Sequence, residues 1–116
     1  MKEGSIVKAA IPQFDGKIKL RPAIILRKLQ QFDDFILCGI STQTHHCIDG
    51  FDEIIEKNDN DFKQSGLLQT SLIRLGFLVA LPQHCIMGSI GNISDERHNR
   101  LLHNLSNYLL KKDKNN

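Results

Sequence analysis

Gly16-Lys17-Ile18-Lys19-Leu20-Arg21-Pro22-Ala23-Ile24-Ile25-Leu26 opens as a basic loop and closes as an apolar, β-branched run. The Ala-Ile-Ile-Leu core has no polar alternation, so it reads as a strand covered on both faces. Pro22 fixes its own φ and pushes Arg21 into an extended conformation at the mouth of that strand. A guanidinium held there offers a planar fork that matches two oxygens of a phosphate. A solvated arginine at a strand edge is the plainer alternative, and the rest of the chain has to separate the two.

On the N-terminal side, Ser5 to Ile11 carries Ile6, Val7, Ala9 and Ile11 and closes at Pro12, which predicts a first strand. Gln13 to Leu20 reads as a polar loop with an Asp15-Gly16 turn signal. The second strand is expected over Pro22 to Leu29 and a third over Asp34 to Ser41, antiparallel to it. Gly50 to Glu56 offers a short strand, and Lys57 to Ser65 reads as loop with a turn of helix. Leu72 to Leu75 reads as a short strand ending at Gly76, with Phe77 to Leu81 continuing the apolar run to Pro82. Cys85 to Ile93 adds a last strand whose Gly88 and Gly91 mark bulges or close backbone approaches.

Ser94 then reads as an N-cap, with Asp95 and Glu96 in the first helical turn, where the helix dipole favours them. Leu101, Leu102, Leu105, Leu109 and Leu110 make one apolar stripe through Lys111, serving core or dimer packing. His98 and His103 fall on the solvated side of that helix. Residues 1–111 form one expected domain, and 112–116 a disordered tail. Many short strands followed by one capping helix predict a mostly β, α+β domain built on a small barrel or strongly bent sheet.

A length of 116 residues suffices for a core without disulfides or metal, and no apolar run approaches a membrane span. Cys38, Cys47 and Cys85 are an odd count without framework spacing, which fits a reducing compartment. The net charge of +2 is small, but Lys8, Lys17, Lys19, Arg21, Arg27 and Lys28 make the first quarter basic. Asp49 to Asp61 is mostly acidic, and the asymmetry predicts a polyanion-binding face with a solvated far side.

If the second and third strands form a hairpin, the start of one lies beside the end of the other. Arg21 and the Ser41-Thr42-Gln43 cluster then meet at one end of the sheet. Arg74 is a further strand-borne cation. His45-His46-Cys47 and His84-Cys85 have zinc-ligand chemistry, but adjacent ligands do not converge easily on one ion. The histidines remain available as proton donors or for contact with bases.

These blocks occur in order: Gly4-Ser5-Ile6-Val7, Arg21-Pro22-Ala23-Ile24-Ile25-Leu26, Ile40-Ser41-Thr42-Gln43, Gly66-Leu67-Leu68, Ser71-Leu72-Ile73-Arg74-Leu75 and Ile90-Gly91-Asn92-Ile93-Ser94-Asp95. In that order and spacing the chain resembles the PemK/MazF family of toxin endoribonucleases of bacterial type II toxin–antitoxin systems. The resemblance implies an SH3-like small β-barrel of the PemK/MazF/CcdB plasmid-maintenance type with a C-terminal helix, assembled as a homodimer in the bacterial cytoplasm. It implies cleavage of single-stranded RNA without metal or other cofactor, a cognate antitoxin protein as partner, and no membrane. Arg21, Ser41 or Thr42, and Arg74 are then the candidate catalytic residues; Lys17, Lys19, Gln43, His45 and His46 are candidate RNA contacts.

Two departures stand out. Gly76 occupies a position where members that use the second arginine tend to carry an acidic residue, and the first loop lacks the histidine some members have there. A non-catalytic module of the same fold, inhibiting a protein such as DNA gyrase or binding RNA without cutting it, is the alternative reading.

Overall fold

Runs buried without polar alternation, such as Ser5–Val7 and Ala23–Leu26, produce a sheet buried on both faces. In the computed structural model, which describes residues 1–112, six strands pair antiparallel throughout. They are β1 (Ser5–Pro12), β2 (Ile18–Leu29), β3 (Asp34–Ser41), β4 (Glu53–Ile55), β5 (Ser71–Pro82) and β6 (Ile86–Asn92), in the order β4-β5-β3-β2-β1-β6. A one-turn helix, α1 (Phe62–Ser65), precedes β5, and α2 (Asp95–Leu110) follows β6. The sheet curls into a half-barrel, as the expectation of a small barrel with a C-terminal helix requires. The stretch 113–116, most of the expected tail, lies outside the described residues.

Neighbouring residues of one strand feed opposite cores. Ile6, Ile24, Leu26, Cys38, Ile73 and Leu75 pack with Phe51, Ile55, Ile93 and Leu101 under α2. Val7, Ala9, Ile11, Ala23, Ile25, Phe35 and Leu37 pack with Leu81 and Ile86 on the other face. Ser94 caps α2 by accepting the Arg97 amide at 3.1 Å, and Asp95 and Glu96 occupy its first turn. Leu101 is fully buried and Leu102 and Leu105 pack beside it, whereas Leu109 and Leu110 are exposed.

Four expectations about individual elements need correction. The first hairpin turn is tighter than a loop over 13–20: the Gln13 amide donates to Lys17 O at 2.7 Å, so β2 already begins at Ile18. The strand expected over 50–56 shrinks to three residues, because Asp52 turns inward instead of continuing the ladder. Gly76 ends no strand; β5 runs through it as a bulge. His98 is half-buried, and its Nε2 donates to Leu26 O at 2.9 Å, next to the register shift between Ile25 and Arg27.

The acidic stretch is not simply a solvated far side. Buried Asp52 accepts the Ile48 amide at 3.0 Å and the Leu75 amide at 2.9 Å. Asp61, Asp59 and Glu53 all bond to the buried Arg97 guanidinium, at 2.8, 2.9 and 2.9 Å. Burial pushes the Asp61 carboxyl up, but hydrogen bonds from Arg97 and from the Ser94 amide outweigh it and hold the group below the usual carboxylate range. This network ties β4, the α1 loop and α2 together. At the same junction, a Cβ on Gly91 would collide with the backbone of Gln64 and Ser65, so β6 and α1 touch as only glycine permits.

Candidate nucleic-acid cleavage site

The hairpin argument places Arg21 and Ser41 at one end of the sheet, and the register agrees with it. Ala23 pairs with Gly39, so Arg21 and Ser41 lie two residues beyond that pair on their respective strands. On its other side Gly39 pairs with Arg74. Strand alternation sets Arg21, Gly39, Ser41 and Arg74 on one face of the sheet. There they line an open groove of about 420 Å³ together with Gln13, Thr42, Gln43 and Phe77. Arg21 and Arg74 are both exposed.

Arg74 owes its position to the bulge. Gly39 pairs with Arg74 but its neighbour Cys38 pairs with Leu78, leaving Leu75, Gly76 and Phe77 without partners in β3. The Asp52 carboxylate takes the freed Leu75 amide, so the irregularity carries no unsatisfied donor there. The bulge also sends Leu75 to the core under α2 and Phe77 to the groove face. Phe77 occupies the space a side chain at residue 39 would need: a Cβ there would sit 3.1 Å from its ring.

Ser41 is oriented by its own turn. Its Oγ accepts the Gln43 amide at 3.0 Å, which leaves the hydroxyl proton free to donate. Thr42 and Gln43 line the same groove with exposed side chains. Two guanidinium groups and an anchored hydroxyl around a shallow groove can hold a phosphodiester and stabilise negative charge building on it.

The remaining candidates lie outside the lining. Lys19 shares the groove face of β2 and pairs with Ile11, while Lys17 is exposed in the turn. His45 and His46 are exposed on a 3₁₀ turn with ring centroids 4.2 Å apart. His84 and Cys85 sit on another such turn, and among the described residues no three His, Cys, Asp or Glu side chains form a metal-binding cluster. The basic first quarter divides: Lys8, paired with Pro22, belongs to the opposite sheet face, and Arg27 pairs with Glu3 at 3.4 Å. Gln13 and Phe77 were not legible as site residues. Gln13 looked like loop, and Phe77 reaches the groove only through the bulge.

A curled six-stranded antiparallel sheet with a C-terminal helix, carrying cations and a hydroxyl at one end, defines a small half-barrel. No protein-family model matches the chain, and no curated protein sequence does. Among solved structures the chain is similar to the Mycobacterium tuberculosis toxin MazF-mt6, with 19% sequence identity, a TM-score of 0.67, and coverage of 93% of this chain and 99% of that one. It is also similar to an endoribonuclease in complex with its cognate antitoxin from a mycobacterial species, with 11% identity, a TM-score of 0.69, and coverage of 97% and 99%. The fold is that of the MazF toxins. No helix among the described residues is long and apolar enough to cross a membrane.

Proposed function

We propose that this chain is the toxin of a type II toxin–antitoxin system, an endoribonuclease that cuts single-stranded RNA without a metal ion. The observation that carries the reading is the shared groove of Arg21, Ser41 and Arg74. The MazF fold supports it.

RNA brings its own nucleophile. The 2′-oxygen attacks the adjacent phosphorus and the bond to the 5′-oxygen breaks. Water takes the 2′ proton, and water supplies one to the departing 5′-oxygen, so no net proton is gained or lost. The products are a 2′,3′-cyclic phosphate and a 5′-hydroxyl. Orientation alone contributes up to about 7–11 kcal/mol in favourable intramolecular reactions. A guanidinium is a poor general base, so Arg21 and Arg74 serve to stabilise the dianionic phosphorane rather than to remove protons. Ser41 donates its free hydroxyl proton to a non-bridging oxygen, with Thr42 beside it. Gln43, Lys17 and Lys19 extend the phosphate-binding track, and His45 and His46 contact bases farther along the strand.

Residues 1–111 act as one toxin domain in the bacterial cytoplasm, paired as a homodimer and silenced by an antitoxin. Exposed Ile18 and Leu20 on the opposite face of β2, with Leu109 and Leu110 at the end of α2, are apolar surface suited to such partners. The test is cleavage of a defined single-stranded RNA in excess chelator, with end-group analysis. A cyclic phosphate or its hydrolysis product is expected. Arrested cells with intact transcripts, rescued by topoisomerase mutations, would support a non-catalytic module instead.

A further inference from the structure

A second groove adjoins the first and is built from different chemistry. It is lined by Ile11, Pro12, Gln13, Phe14, Phe77, Leu78 and Val79, holds about 280 Å³, and shares Ile11, Gln13 and Phe77 with the arginine groove. Its volume lies under the ~300–1,000 Å³ of ordinary ligand cavities, which suits one flat ring rather than a larger ligand. Phe14 is fully exposed at its lip, on a turn whose geometry is set by the Gln13 and Lys17 pairing. Phe77 forms the wall between the two grooves, backed by Gly39. Gln13 Nε2 donates to Ile11 O at 2.9 Å, so the amide orientation is determined and Oε1 remains free to accept.

We infer that this second groove is a nucleobase subsite, in which Phe14 and Phe77 hold one unstacked base of the RNA while its neighbouring phosphate sits between Arg21 and Arg74. The inference rests on the ribonuclease reading and adds to it which base-contacting residues give selectivity. Continuity of the grooves decides the occupant: a strand whose phosphate lies on the arginines has its next base at the Phe77 wall. Aromatic faces accept any base by stacking, and Gln13 Oε1 selects among them through a donor on the base edge. Phe14 is fully exposed and outside both core clusters, so removing it tests binding and not stability.

The experiment uses the full chain and a 2′-deoxy-substituted, uncleavable oligonucleotide, scanned with single abasic sites. The parent protein should lose about tenfold or more in affinity at one abasic position next to the blocked linkage. Phe14→Ala should lose a similar factor on the intact oligonucleotide and lose no more when that base is removed. Phe14→Trp should restore the dependence on that base, and Phe77→Ala, if it folds, should behave as Phe14→Ala does. Independent, multiplicative losses from the two changes would overturn the subsite while leaving the nuclease reading standing. So would Phe14→Ala binding RNA as the parent does, in which case the groove serves a protein partner. Parent protein that neither binds the oligonucleotide nor cuts its all-ribose counterpart would overturn both.

Discussion

Arg74 pairs directly with Gly39, although the next residue of β3, Cys38, pairs with Leu78. That local loss of register brings a cation of β5 to the same sheet face as Arg21 and Ser41, and a buried carboxylate holds it in place. Asp52 accepts the Leu75 amide inside the bulge and the Ile48 amide in the preceding loop.

Asp52→Ala removes both acceptors and leaves a buried amide without a partner. Stability should fall by about 2–4 kcal/mol, given about 1–3 kcal/mol for each donor stranded in the interior. Urea unfolding measures it, through a lower midpoint at an unchanged slope. RNA cleavage by the folded fraction should fall as well, since Arg74 loses its register. Full activity per folded molecule would separate the bulge from the site.

Gly39→Ala tests the space beneath the groove. The added methyl meets the Phe77 ring at 3.1 Å, so the ring must give way. The stability loss should be about 1–3 kcal/mol, as for other overpacked sites. Cleavage should fall further than stability explains, because Phe77 walls both grooves. Equal activity and an unmoved melting temperature would mean that the ring is free to shift.

Below neutral pH the Arg97 network should set the acid limit. The Asp61 carboxyl titrates lower in the folded chain than in the unfolded one, against the opposing push of burial. Its stabilisation is therefore complete above the unfolded value of about 4 and is lost as pH falls through the folded value. Asp61→Asn should cost about 3–5 kcal/mol at pH 7, since it strands part of a buried guanidinium. The gap between variant and parent, followed by urea unfolding, should narrow as pH drops below about 4. A gap independent of pH would assign the stability to packing.

Thiol reactivity reports on the sheet itself. Burial, reinforced by nearby Asp52, pushes the Cys38 thiol up to about 12. Iodoacetamide at pH 8 should modify Cys47 and Cys85, which are partly exposed, and spare Cys38. Labelling of Cys38 at a comparable rate, read by peptide mass spectrometry, would show β3 to be open.

What the sequence made legible was local or followed from pairing geometry. The Ser94 cap, the apolar runs of β1, β2 and β3, and the meeting of Arg21 with Ser41 need only periodicity and an antiparallel hairpin. What it hid depends on partners distant along the chain. Gly76 looked like a strand end because a bulge is visible only when β3 supplies the register on the other side. Asp61 and Arg97 carry no motif that joins them, so an acidic run read as solvated surface proved to be an internal clamp. Gln13 and Phe77 entered the site for the same reason: the turn and the bulge, not their neighbours in sequence, bring them to one groove.

The most direct measurement is single-turnover cleavage of a defined single-stranded RNA by Arg21→Ala, in chelator, beside the affinity of the same variant for an uncleavable analogue. The account predicts a rate lower by about 10²–10³. Affinity should change far less, and the parent should leave 2′,3′-cyclic phosphate ends. An Arg21→Ala protein that cuts the RNA as fast as the parent would contradict it.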